Sequence, residues 1–325
     1  MSLQTPVLEV QDLRTAFVTA RGMLQAVDGV SFRLERGQIL AIVGESGSGK
    51  SVLSRTILGL LPRSAETSDT ARVLLNGQDL TRLPERQLRR LRGRRASMIF
   101  QDPMTSLNPT MSIGAQIIEV LVFHMGLAKA AARARAEELL RSVGLPEPRL
   151  QLDRYPHQLS GGMRQRVAIA IALTCEPDLL IADEPTTALD VTVQAEILDL
   201  LRREVRERQM SMILITHDMG IVAGHADEVA VMYAGRIVER APVRPLFAQT
   251  RMPYTRALLD SIPQLSAPAH GRLEAIGGRP PDLVEPPPGC SFEPRCRYAT
   301  PRCRADAPPM QGDGIHSFAC WHPLR

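Results

Sequence analysis

Residues Gly44, Glu45, Ser46, Gly47, Ser48, Gly49, Lys50 and Ser51 fit the pattern G-x-x-x-x-G-K-[ST] without a departure. The chemistry this spacing suits is the holding of a polyphosphate. Glycines let the backbone wrap around phosphate oxygens without side-chain clashes, and successive N–H groups then point inward. A helix starting at the end of the loop adds partial positive charge. Lys50 supplies a full charge to the β- and γ-phosphates, and the Ser51 hydroxyl is a ligand for Mg²⁺. Val52, next in the chain, completes the expected nucleotide contacts.

A second group of reactive residues follows an apolar run. Leu179, Leu180, Ile181 and Ala182 lead into Asp183 and Glu184. Asp183 at a strand end would hold Mg²⁺, usually through water. Glu184 is the natural general base for an attacking water. Alone, two acids after a strand could equally cap a helix. Beside a phosphate loop they mark the carboxyl end of a sheet, where open α/β folds bind ligands.

These residues require particular elements to position them. Ile39–Val43 is an apolar strand entering the Gly-rich turn, and a helix is predicted from Gly49 to about Gly59. Residues 6–43 alternate apolar and polar in short segments, which predicts short antiparallel strands. From about Ser112 to Gly144 the apolar residues recur three and four apart, as Leu139, Leu140 and Val143 do, which predicts a helical subdomain. Helices are also expected from Gly161 to about Thr174 and over Val191–Arg208, with buried strands at Leu179–Ala182 and Met212–Thr216. Alternating helices and apolar strands make this an α/β fold with a parallel sheet covered on both faces.

Composition sets outer bounds. The chain has 325 residues, 44% apolar and 23% charged, enough for one large α/β domain plus an appendage. Its net charge of +4 is too mild to call for nucleic acid as a partner. The basic run Arg86, Arg89, Arg90, Arg92, Arg94 and Arg95 reads as a solvated helix face, with an anionic membrane surface as the sharper alternative. The N-terminus carries Glu9 and Asp12 and lacks the long apolar stretch of a signal peptide. No run reaches the roughly 18 apolar residues of a membrane span. The expectation is a cytoplasmic chain that reaches a membrane only through partners.

Residues 159–166 read LSGGMRQR. With the loop at 44–51 and LLIADEPTTALD at 179–190, they resemble the nucleotide-binding domain of ABC transporters over roughly residues 6–250. That resemblance implies a P-loop NTPase with a parallel core sheet, an antiparallel β-subdomain and a helical subdomain at about 102–175. It implies that Ser160, Gly161 and Gly162 form the signature motif, which contacts ATP held by an opposing subunit. Gln101 corresponds to the glutamine that reaches Mg²⁺ and water, His217 to the histidine at the γ-phosphate, and Asp190 to the D-loop. Phe17 is the candidate for stacking on adenine, with a strand core position as its alternative.

QDPMTSLNPTMSIGAQI at 101–117, RMPYTRALLDSIP at 251–263 and LEAIGGRPPDLVEPPPGCSFEPRC at 273–296 resemble the oligopeptide/dipeptide importer branch, which also includes importers of nickel chelates and glutathione. The implied organisation is a nucleotide-binding domain at 1–250 and a C-terminal extension at 251–325. One phosphate loop and one signature motif per chain imply a second ATPase subunit, a copy or a relative. Two membrane permeases and an extracytoplasmic binding protein complete the implied assembly, at the cytoplasmic face of the inner membrane. A soluble ABC ATPase is the competing class, but it usually carries two domains in one chain or a coiled-coil insertion.

Past residue 264 the chain turns rich in Pro, Gly and Arg, and regular structure is not expected. This tail holds Cys290, Cys296, Cys303 and Cys320. Clustered thiols in a reducing compartment are more often metal ligands than disulfides. Four thiolates can hold Zn²⁺ or a [4Fe–4S] cluster, and the wide, irregular spacing in a Pro-rich loop suits the cluster better. His316 and His322 are possible substitute ligands. Cys175 reads as a small apolar residue within a buried helix.

Overall fold

The computed structural model describes residues 5–62, 64–102, 106–187, 189–262 and 276–324. Parts of the three importer-like segments, 103–105, 263 and 273–275, lie outside them. The chain divides into two compact units that interleave along the sequence. One comprises Met1–Val7, Glu35–Gly37 and Arg82–Leu214. The other comprises Leu8–Leu34, Gln38–Thr81 and Ile215–Arg325.

In the first unit the strands Ala96–Ile99 and Leu179–Asp183 run parallel. Every residue of Leu179–Asp183 is buried, as a strand covered on both faces requires. The helices Ile113–Met125 and Lys129–Ser142 occupy the region read as helical, and Gly161–Leu173 and Val191–Arg208 form at the positions expected. Their starts are chemically capped. Ser112, Ser160 and Asp190 each accept a backbone N–H of the first turn. Among the described residues no single helix is long and apolar enough to cross a membrane.

The basic run sits on and after the helix Glu85–Leu91, which buries none of its residues. Arg92 pairs with Glu85 and Arg95 with Asp178, as on a solvated face. Cys175 lies just past its helix and is half-buried, so it is not inside a buried helix. The Cys175 thiol is pushed upward in pKa by burial.

In the second unit Leu8–Thr19 and Gly22–Leu34 form a long antiparallel pair of 12 and 13 residues, where the sequence suggested several short strands. Register shifts after Val10, Leu13 and Thr15 account for the broken alternation. The strand Glu228–Tyr233 runs parallel to Ile39–Val43 and antiparallel to Arg236–Pro242. The tail is more regular than its composition suggested. Ser317–Phe318 adds to Arg236–Pro242 as an antiparallel strand, and Pro301–Ala305 forms one helical turn. Phe292 and Cys320 join the core built on Ala41, Val43 and Val231, so the tail shares a core with the strand that leads to the phosphate loop.

Candidate functional site

In the second unit the buried strand Ile39–Val43 delivers the chain directly into the loop 44–49. Close approach fixes two of its glycines. A side-chain carbon on Gly44 would lie 2.1 Å from the Met232 carbonyl oxygen, and one on Gly49 would lie 2.2 Å from that of Ala26. Gly47, by contrast, faces open space and is exposed with Ser46. The helix Lys50–Ile57 starts at the lysine. The Lys50 ammonium donates to the carbonyls of Gly44 (2.8 Å) and Glu45 (2.9 Å). Ser51 and Val52 are half-buried in the first turn. The Ser48 hydroxyl is buried without a hydrogen-bond partner among the described residues.

Two further residues of this unit were singled out in the sequence. His217 is exposed directly after the strand Ser211–Thr216. The next residue, Asp218, caps the following helix by accepting from the Gly220 N–H (2.7 Å). Phe17 lies on Leu8–Thr19 opposite Leu24 and is half-buried, compatible with either of its two readings.

In the first unit Glu184 follows the buried end of Leu179–Asp183 with φ at 46°, an unusual conformation for a side-chain-bearing residue. Its carboxylate accepts from Gln101 Nε2 (3.0 Å) and from the Thr187 hydroxyl (2.9 Å). These two donors fix the direction of a base that would take a proton from water. Asp183 is buried beside it, as a metal-facing carboxylate at a strand end would be.

The same unit brings Gly161 and Gly162 close to Leu189 and Val193, which flank Asp190. A carbon on Gly162 would stand 2.9 Å from Val193, and one on Gly161 would stand 3.6 Å from Leu189. Ser160 accepts from the Met163 N–H (3.3 Å), and Asp190 accepts from the Val193 N–H (3.0 Å). A serine hydroxyl that accepts in a cap still has its own hydrogen to donate to an anion.

Residues 27–187 match the family described as ABC transporter, and 238–303 match the C-terminal region of the oligopeptide/dipeptide transporters. The dipeptide transport ATP-binding protein DppD of Bacillus subtilis (strain 168) is 50% identical over 97% of this chain and 94% of its own length. The chain belongs to the ABC transporter family. It is an ABC ATPase with the α/β fold of a P-loop NTPase. The oligopeptide transport ATP-binding protein OppD of Salmonella typhimurium is likewise 50% identical, over 98% of this chain and 94% of its own. A solved dimeric ATP-binding cassette in a post-hydrolysis state, bound to ADP and Pi, covers 73% of this chain and 99% of its own. It matches with a TM-score of 0.66 at 26% identity.

The structure brings the tail cysteines of this ABC ATPase together. Cys290, Cys296, Cys303 and Cys320 line one small pocket with Met252, Phe292 and Trp321, and all four are free thiols. The Cys290 N–H donates to the Cys303 carbonyl (2.7 Å), which joins two of the segments. Burial pushes the thiols of Cys290 and Cys296 upward in pKa, and that of Cys320 to about 11. Among the described residues no group of three or more His, Cys, Asp or Glu is arranged as it stands to hold a metal ion. The two histidines considered as substitute ligands are engaged elsewhere. His316 meets Glu239 (2.7 Å) and His322 meets Thr300 (2.9 Å).

Several residues at these sites carry no signal in the sequence. Thr187 stands in the run 179–190 after Glu184, but nothing in its type marked it as a partner of the Glu184 carboxylate. Tyr254 and Arg295 lie in the importer-like segments, and only their contacts reveal what they do.

Proposed function

We propose that this chain hydrolyses ATP to power an importer of dipeptides or oligopeptides. The observation that carries the reading is the match of residues 238–303 to the C-terminal region of oligopeptide/dipeptide transporters. The near full-length identity to dipeptide and oligopeptide transport ATP-binding proteins supports it. Importers of nickel chelates or glutathione are the alternative cargo class.

The roles follow from chemistry. Lys50 and the loop N–H groups bind the β- and γ-phosphates. Ser51, Gln101 and Asp183 are hard-oxygen donors suited to Mg²⁺, which polarises the phosphoryl oxygens when bound. Glu184, oriented by Gln101 and Thr187, takes the proton of the attacking water. His217 contacts the γ-phosphate, and Phe17 stacks on adenine. Ser160, Gly161, Gly162 and Asp190 act on the nucleotide of a second ATPase subunit. Two permeases and an extracytoplasmic binding protein complete the assembly, with this chain peripheral at the cytoplasmic face of the membrane.

The proposal of a [4Fe–4S] cluster, or Zn²⁺ in its place, as a structural staple rests on four soft thiol donors that line one pocket, although no three of them stand at metal-holding geometry among the described residues. Metal content and visible absorption of protein purified without oxygen decide between them. About four irons per chain support the cluster, one zinc supports the alternative, and no metal removes both.

The transport reading is tested by purifying the chain with its membrane partners and measuring ATP-dependent uptake of labelled dipeptides into proteoliposomes. Uptake that requires ATP and stops in Glu184→Gln is the expected result. Stimulation by nickel chelates or glutathione and not by peptides would replace the cargo. Purification without any permease would replace the transport role with that of a soluble ATPase.

A further inference from the structure

Arg295 lies in the cysteine tail, one residue before Cys296, yet its guanidinium is spent on the phosphate loop. Nη1 and Nη2 form a fork onto the Glu45 carboxylate at 2.6 and 2.8 Å. The remaining N–H groups go to the Tyr233 hydroxyl (3.2 Å), the Gly277 carbonyl (2.8 Å) and the Ile276 carbonyl (3.3 Å). The side chain is only 3% exposed. Tyr233, Tyr254 and Phe292 pack into one aromatic cluster whose ring centroids are 4.5–5.4 Å apart, and Arg295 lies against two of these rings.

Glu45 is held at every polar group it has. Its N–H donates to the Tyr254 hydroxyl (2.9 Å), and its carbonyl accepts from Lys50 (2.9 Å) and from the Ser48 N–H (3.2 Å). Its carboxylate is taken by Arg295. A negative charge in a loop that receives polyphosphate is adverse, because like charges at close range repel in proportion to their proximity. A buried bidentate guanidinium both cancels that charge and fixes its direction.

We propose that Arg295 is a positioning residue for the phosphate loop, through which the cysteine tail sets the affinity for nucleotide. It neutralises Glu45 and pins the loop's entry, and it does not touch the reacting atoms. The inference rests on the loop being the ATP site.

The test measures ATP affinity of the full chain by equilibrium binding of a fluorescent ATP analogue, with thermal unfolding as the check on folding. Arg295→Gln is expected to raise Kd about tenfold by leaving the Glu45 charge facing the phosphates. The double variant Glu45→Gln/Arg295→Gln removes both charges and is expected to return within about threefold of wild type, a rescue no purely structural role produces. Arg295→Lys keeps the charge without the fork, and it serves if the glutamine variant does not fold. It is expected to raise Kd about threefold. A folded Arg295→Gln or Arg295→Lys protein with wild-type Kd would overturn the proposal, as would a double variant no tighter than Arg295→Gln. A wild-type chain that binds no ATP would overturn the nucleotide-site reading itself, and this inference with it.

Discussion

Gln101 donates from Nε2 to the Glu184 carboxylate at 3.0 Å, across 83 positions of sequence. The contact joins the residue after the strand Ala96–Ile99 and its Phe100 to the residue after Leu179–Asp183, two parallel strands of one unit. Parallel pairing sets both strand ends on the same edge, so residues just beyond each end can meet. The Glu184 carboxylate is therefore aimed by a group that the sheet register supplies.

Glu184→Gln is expected to bind ATP with near wild-type affinity and to lose hydrolysis by about 10²–10⁴-fold, the usual worth of a general base. Phosphate release at saturating ATP checks it. Gln101→Ala keeps the base but frees its orientation, so a smaller loss, about tenfold, is expected. A Gln101→Ala rate as low as that of Glu184→Gln would show that the glutamine does more than aim the carboxylate.

Ser48→Ala is expected to raise the stability of the nucleotide-free chain. The Ser48 hydroxyl is buried without a partner among the described residues, so its removal relieves an uncompensated desolvation. The gain should be about 1 kcal/mol, visible as a rise of about 2 °C in Tm. A fall in Tm would show that the hydroxyl finds a partner in solution.

His316→Ala is expected to loosen the tail. Glu239 is fully buried and accepts from His316 Nε2 (2.7 Å), from the Arg251 N–H (2.7 Å) and from the Met252 N–H (3.2 Å). Removing the imidazole leaves a buried carboxylate short of one partner, a cost of about 1–3 kcal/mol. Limited proteolysis should then cut within 276–324 before the rest of the chain, and equal protection of the tail in both proteins would count against the anchor.

The metal-free chain should lose stability in alkali. Burial holds the Cys320 thiol protonated to about pH 11, against an ordinary value of 9.0. The unfolded chain releases that proton first, so it binds fewer protons than the folded chain as pH rises from about 9 to about 11. The contribution of this thiol to stability is complete below pH 9 and declines through that window. Denaturant midpoints from pH 8 to 11 check the direction, and Cys320→Ser should flatten the decline.

Much of the site was legible because its chemistry is local. The loop 44–51 needs only glycines, a lysine and a helix start in one short run, and the structure places the helix at Lys50. The helix Val191–Arg208 was readable to the residue because Asp190 caps it and its apolar positions repeat at helical spacing. The long pair Leu8–Thr19 and Gly22–Leu34 was less legible, since its register shifts interrupt the alternation that marks a strand.

The sequence by itself determined which residues can bind phosphate, hold a hard cation and activate water, because a side chain's functional groups and its near neighbours travel together in the chain. Only the tertiary structure decided which distant groups serve them: Thr187 and Gln101 on Glu184, Arg295 and Tyr254 on Glu45, and four cysteines around one pocket. These pairings depend on strand register and on the packing of tail rings against the core. Neither leaves a periodic signal in the chain, because a contact between Glu45 and a residue 250 positions away is fixed by every element that folds between them.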